Sequence, residues 1–348
     1  MFFASDNAGP THPKLMEALV AANEGYAMAY GADPIMDQVR AQIREIFEAP
    51  DAAVYLVING TSANSILLAT MAQPWQTIFC TDVAHVHEDE CNAPEFFSQA
   101  KLTLVPNDDG KMTADALARV IAAEETRGVH GPQRGPVTLT QATEKGTLYS
   151  LDEIATLSDV AAQYGLGMHM DGARFANALV TLGCTPAEMT WKAGIKTLSF
   201  GGTKNGAMGV EACVIFDPGL AWEFELRRKR GGHLLSKHRY LSAQMQAYLQ
   251  DELWCDLARK ANARCAQMAD GLRGQNNVKM LYEPGANIIF FHAMRREHQR
   301  LLAGGATYYV MDGDSDVGDP DEILTGRLVM DWSMKSETVD LFLNLIQK

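Results

Sequence analysis

No apolar run in the 348-residue chain approaches the roughly 18 residues that a membrane-spanning helix needs, so no membrane partner is expected. Basic residues are scarce: 30 Lys and Arg stand against 43 Asp and Glu, a formal charge of −13. Nucleic acid and anionic surfaces recruit clustered Lys and Arg, so a small molecule is the expected partner and nucleic acid is not. The six cysteines, Cys80, Cys91, Cys184, Cys213, Cys255 and Cys265, form no C-x-x-C pair and no zinc spacing, which suits free thiols in a reducing compartment. The chain opens Met1-Phe2-Phe3-Ala4 without a basic n-region, so no signal peptide is expected and the cytoplasm is the default location. Internal repeats and low-complexity tracts are also missing.

What remains is an ordinary globular composition, 47% hydrophobic and 21% charged, in a chain long enough for a large domain and a smaller one. Val54–Ile58 is a continuous apolar run of the kind that forms a buried parallel strand. Further strands are expected at Thr77–Thr81, Leu102–Val105, Val137–Gln141, Gly167–Asp171, Lys196–Phe200 and Val210–Phe216, with helical stretches near 113–124, 152–164 and 173–182. Seven strands interleaved with helices imply an α/β fold with a mostly parallel sheet. Past residue 240 a long helical region runs through Leu272, followed by strands at Asn287–His292 and Arg327–Trp332 and a final helix. The expected division is a large domain over 1–245, including an irregular segment 1–14, and a smaller C-terminal α/β domain over 246–348.

Four stretches carry candidate chemistry. In Ser199-Phe200-Gly201-Gly202-Thr203-Lys204-Asn205-Gly206 a single lysine sits among small residues after a strand; it is a solvated charge or, if neighbours depress its pKa, a nucleophile. Asn59-Gly60-Thr61-Ser62-Ala63-Asn64 joins a strand to a helix, where free N–H groups and hydroxyls cradle a phosphate or merely cap the helix. Asp171, in His169-Met170-Asp171-Gly172-Ala173-Arg174, falls at a strand's C-terminal end, partnered either by a protonated ring nitrogen or by Arg174. His85-Val86-His87-Glu88-Asp89-Glu90 reads as metal ligands, a solvated loop, or an aromatic or acid–base group at His85; on a strand, His85 and His87 would share a face. Two further features are weighed beside these. Arg227–Arg230 is a solvated helix face or a phosphate-binding cluster, and Asp312–Gly318 is an acidic turn lacking the glycine and the closing glutamate of a calcium loop.

In this order the motifs resemble those of the low-specificity L-threonine aldolases, fold type I pyridoxal-phosphate enzymes of the β-eliminating lyase group. The likeness runs from Ser5-Asp6 through Tyr30-Gly31-Ala32-Asp33-Pro34, Asn59–Asn64, Ala84-His85, His169–Arg174 and Thr203-Lys204 to Thr325-Gly326-Arg327. The resemblance implies an aspartate aminotransferase-like large domain and pyridoxal 5'-phosphate as cofactor. It makes Lys204 the covalent attachment point, Asp171 the partner of the pyridinium nitrogen, and His85 the group stacked on the ring. Gly60, Thr61 and Ser62 would serve the phosphate, joined by Arg228 across a homodimer or homotetramer interface. Ser5, Tyr30, Arg174 and Arg327 would bind the substrate, with Arg327 gripping its carboxylate. No metal is implied.

The implied reaction is retro-aldol cleavage of L-threonine or a related β-hydroxy-α-amino acid to glycine and an aldehyde, with His85 or His87 as base for the β-hydroxyl proton. Where common members have Glu-Asn-Thr-His, this chain has Thr140-Gln141-Ala142-Thr143-Glu144, and His87 is an added imidazole. A phenylserine-type aldolase, another β-eliminating lyase, and a metal-dependent hydrolase built on His85–Glu90 are the alternatives.

Overall fold

The computed structural model describes residues 1–347. Its larger sheet contains β1 (Ala53–Val57), β2 (Gln76–Thr81) and β3 (Lys101–Val105). A small hairpin, β4 (Asn107–Asp108) and β5 (Lys111–Met112), precedes its remaining strands, β6 (Gln133–Thr140), β7 (Met168–Gly172), β8 (Ile195–Gly201) and β9 (Glu211–Ile215). Spatial order is β1-β9-β8-β7-β6-β2-β3. The pairs from β8 across to β3 are parallel, while β9 runs antiparallel to both neighbours. This is the fold type I α/β architecture, with all seven expected strands in place. Helices cover both faces of the sheet at β1, β7 and β9, which have no exposed position.

Local chemistry accounts for the helix starts. Asp33 accepts the Met36 N–H, Pro34 sits in the first turn, and Met36, Val39 and Ile43 then fall on one buried face of Pro34–Ile46. Ser150 and Glu153 form a reciprocal capping box at the head of Leu151–Gln163. Two sequence expectations are corrected. The helical region after residue 240 is two helices, Arg239–Leu249 and Leu253–Arg273, because Asp251 and Glu252 both take left-handed backbone with φ of 53°. His85–Glu88 is one helical turn, not a strand, so the two histidines do not share an alternating face.

A second sheet, in the order β10 (Lys279–Met280), β11 (Ile288–Met294), β13 (Ile323–Val329), β12 (Tyr309–Val310), is wholly antiparallel. Its core takes in Phe291, Leu328 and Phe342, and also Phe3, which the N-terminal segment delivers. The helix Leu253–Arg273 contributes to both cores: Leu253, Trp254 and Leu257 pack with the large sheet, and Cys265, Met268 and Leu272 with the small one.

Candidate active site

Parallel strands end together, and the residues just beyond those ends share one cavity. That edge collects Asn59–Thr61 after β1, Thr140, Ala142 and Glu144 at and after β6, Asp171 near the end of β7, Lys204 after β8, and Glu211, the first residue of antiparallel β9. They line a cavity of about 190 Å³ together with Asn7, His85 and Arg174. Small residues permit the convergence. A Cβ on Gly201 would stand 2.4 Å from the Ala173 carbonyl oxygen, so only glycine lets the lysine turn lie against the strand end that carries Asp171.

The floor of the cavity is a hydrogen-bond network centred on the Asn64 amide, which is almost completely buried, with Glu90 Oε2 as its one oxygen left without a partner among the described residues. Its Nδ2 donates to Asp171 Oδ2 at 2.8 Å and to Glu90 Oε1 at 2.9 Å. Its Oδ1 accepts from Ser199 Oγ at 2.8 Å and pairs with His169 Nε2 at 3.2 Å. Since that oxygen only accepts, His169 is the neutral Nε2–H tautomer, in keeping with burial that pulls its pKa down to about 4. Asp171 also accepts the Ala173 N–H at 2.9 Å. Burial raises its pKa, but the charges of His85 and Lys204 and these donors outweigh that, holding the carboxyl ionised below the usual range.

His85 stands against this floor. Its Nδ1 lies 2.7 Å from Glu90 Oε1, and its backbone N–H donates to Glu144 Oε1 at 2.8 Å. Burial lowers the imidazole pKa, yet the Glu90 contact and the Asp171 charge overcome it, so the net shift is upward. His85, Glu90 and Asp171 each offer a ligand atom within 4.8 Å of one another. Nδ1 and both carboxylates are already committed to hydrogen bonds, which is an anchoring arrangement for the imidazole.

Lys204 lies on a short helical turn, Thr203–Asn205, and its amine makes no hydrogen bond among the described residues. Burial and the Arg174 charge lower its pKa against the opposing pull of Asp6, Asp171 and Glu211. Gly60 and Thr61 open the helix Gly60–Met71, whose cap Asn59 takes the Ser62 N–H at 2.8 Å. Gly60 and Thr61 line the cavity, their N–H groups make no hydrogen bond among the described residues, and a Cβ on Gly60 would meet nothing within 4 Å. A phosphate-sized anion is what such a helix start accommodates.

The structure therefore brings Lys204, Asp171, His85, Gly60, Thr61 and Arg174 to one cavity. Arg174 does not pair with Asp171: its Nε and Nη2 reach the two oxygens of Asp6 at 2.8 and 3.0 Å, a buried bidentate pair to which Asn287 adds a third bond. Other residues of interest lie outside the lining. Ser62 bonds back to the Asn59 carbonyl, and Ser5 caps the short helix Asp6–Ala8. His87 is 3.6 Å from Glu88, and Tyr30, with φ of 60°, lies under the Lys229 ammonium. Arg228 is buried over the Tyr55 ring, its Nε without a partner. The guanidinium of Arg327, on β13, makes no hydrogen bond or ion pair among the described residues, and burial together with the nearby Arg174 charge depresses its pKa. Asp312 caps Thr325 through both its N–H and hydroxyl.

Sequence reasoning assigned no role to Asn64, Glu144 or Glu211. Glu211 had a legible signal, an ionisable residue opening the apolar run Glu211-Ala212-Cys213-Val214-Ile215 a few positions after the lysine.

A family model described as beta-eliminating lyase matches residues 3–294. The chain belongs to the beta-eliminating lyase family. It is 41% identical over 314 residues to a low-specificity L-threonine aldolase of Pseudomonas aeruginosa, covering 90% of each chain. A second low-specificity L-threonine aldolase, from a Pseudomonas species, is 41% identical over 89% of each. Among solved structures, a threonine aldolase of Leishmania major superposes with a TM-score of 0.92 at 24% identity, covering 99% of this chain and 98% of that one. The relationship expected from the ordered motifs is borne out, and the chain is a lyase of this family. Among the described residues no helix is long and apolar enough to cross a membrane.

Proposed function

We propose that the protein is a pyridoxal 5'-phosphate-dependent aldolase that cleaves L-threonine or a related β-hydroxy-α-amino acid to glycine and an aldehyde. One observation carries this reading: an amine of depressed pKa and a buried, ionised carboxylate face the same cavity, with the free N–H groups of a helix start beside them. Those are the three features that a cofactor with an aldehyde, a basic ring nitrogen and a phosphate requires, so the residues present fit it. Lys204 holds it covalently, Asp171 keeps a proton on the ring nitrogen, and Gly60 and Thr61 hold the phosphate. Bound there, pyridoxal 5'-phosphate supplies an electron sink for the pair left on the substrate α-carbon.

The chain's own groups do the rest. Arg327, whose guanidinium has no partner among the described residues, binds the substrate carboxylate; Arg174 is committed to Asp6 and orients the segment that carries Ser5. Of the two candidate bases, His85 lines the cavity and His87 does not. His85 Nε2 takes the β-hydroxyl proton, because Glu90 occupies Nδ1 and fixes which nitrogen faces the substrate. We assign residues 1–245 to the cofactor-binding domain and 246–348 to the smaller one, in a cytoplasmic homodimer or homotetramer that brings Arg228 to a neighbouring site.

The test is product analysis over a panel of aliphatic and aromatic β-hydroxy amino acids. Glycine and the matching aldehyde in equal amounts are expected. Ammonia and a keto acid would instead make the protein an eliminating lyase, and the relative rates for threonine and phenylserine fix the side-chain preference.

A further inference from the structure

Three carboxylates act on Lys204, and two of them have another cation. Asp6 is held bidentately by Arg174, and Asp171 faces His85. Glu211 differs. It is 5% exposed, and its Oε2 accepts the Gly202 N–H at 2.8 Å. Thr203, whose hydroxyl oxygen accepts the Val210 N–H at 3.2 Å, also stabilises the carboxylate. All these donors are neutral. A buried carboxylate held only by neutral groups is costly as an anion unless a cation shares its surroundings. Lys204, on the same cavity wall, is that cation.

The sheet explains how the two meet. Glu211 opens β9 opposite Gly201, the last residue of β8, so its side chain stands where the chain turns from β8 into Gly202-Thr203-Lys204. Its bond to Gly202 therefore fixes the turn that aims the lysine.

We propose that Glu211 is a positioning residue for Lys204, clamping the lysine turn and supplying the counter-charge that governs when the amine gives up its proton. This rests on the reading of Lys204 as the attachment point. An incoming amino acid brings an ammonium, and the linkage to the cofactor forms only through neutral amines, so the site must store a proton close to the lysine. Burial raises the Glu211 carboxyl to about 7, against the Thr203, Gly202 and Lys204 contacts, which suits a group that is charged while Lys204 is charged and takes up a proton when it is not. The charged or titratable groups facing the pair from neighbouring elements are Arg174, Asp6, Asp171 and His85 around Lys204, and Asp171, Cys213 and Tyr248 around Glu211.

Glu211→Gln keeps the volume and the acceptor for Gly202 while removing the charge. In cofactor-free protein, the pH dependence of Lys204 reductive methylation with formaldehyde and cyanoborohydride, read by peptide mass, gives the amine's midpoint. Removal of a nearby anion disfavours the ammonium, so the midpoint in Glu211→Gln falls by about one unit, a tenfold faster reaction at fixed pH below it. The visible band of the loaded enzyme moves its pH midpoint in the same direction, and Glu211→Asp restores both. Thr203→Val, which weakens the anion without deleting it, gives a smaller fall and serves if the glutamine variant does not fold. Unchanged midpoints in the variants that fold, with only a lower melting temperature, reduce Glu211 to a structural clamp and overturn the proposal. If the parent shows no visible band with the cofactor, the cofactor reading fails instead, and the methylation midpoints still decide the role of Glu211.

Discussion

The floor and the wall of the cavity bury charge in opposite ways. Around Asp171 every donor is matched: Asn64 makes four contacts, and its amide and the Ala173 N–H hold the carboxylate in one orientation. Around Lys204 the amine has no hydrogen-bond partner among the described residues and is controlled by the fields of Arg174, Asp6, Asp171 and Glu211. A dense hydrogen-bond network fixes geometry, whereas an unpartnered amine keeps its lone pair accessible for chemistry. The site needs both, a rigid reference point and a reactive group, and the fold supplies them from adjacent strand ends.

Removing the reactive side of this contrast has the largest expected effect. Lys204→Ala should lower turnover by about four orders of magnitude or more, with the visible band lost while far-UV circular dichroism is retained. Turnover within tenfold of the parent would mean that the wall is not where the chemistry occurs. Breaking the floor comes next. Asn64→Ala strips two buried carboxylates of a donor and His169 of its acceptor, a cost on the order of 3 kcal/mol read from urea denaturation. A loss below about 0.5 kcal/mol would show that the network does not determine stability.

Acid probes the same floor without mutation. Burial holds His169 neutral down to about 4, below its ordinary 6.5, so as pH falls through 6.5 the unfolded chain takes a proton that the folded chain refuses. Its contribution is complete above 6.5 and is lost progressively from 6.5 to 4, up to about 3 kcal/mol. Comparing urea midpoints at pH 7 and 4.5, His169→Gln should lose less than the parent. An equal loss in both assigns the acid sensitivity to other groups.

Much of this is legible in the amino-acid sequence. Runs such as Val54-Tyr55-Leu56-Val57 declare buried strands, and Lys204, Asp171, His85 and the Gly60-Thr61 turn each carry a local signature of strand end or helix start. What could not be read was pairing at a distance. Arg174 finds Asp6 across 168 positions, and Asn64 reaches Asp171 across 107, with nothing in either stretch naming the other. The break at Asp251 and Glu252 was hidden for a different reason: both residue types are tolerated in a helix, so nothing local marks the left-handed pair.

The helix Leu253–Arg273 has a mechanical meaning. A rod about 30 Å long with one half embedded in each core behaves as a shared beam. Neither core loses order without removing part of the other's wall, so the two sheets are coupled in cooperativity despite their separate hydrogen-bond ladders. The N-terminal segment ties the same knot from the opposite side, with Phe3 in one core and, three residues on, Asp6 clasping Arg174 beside Lys204. Force or heat applied to the small sheet is transmitted by that short tether to the lysine's immediate surroundings.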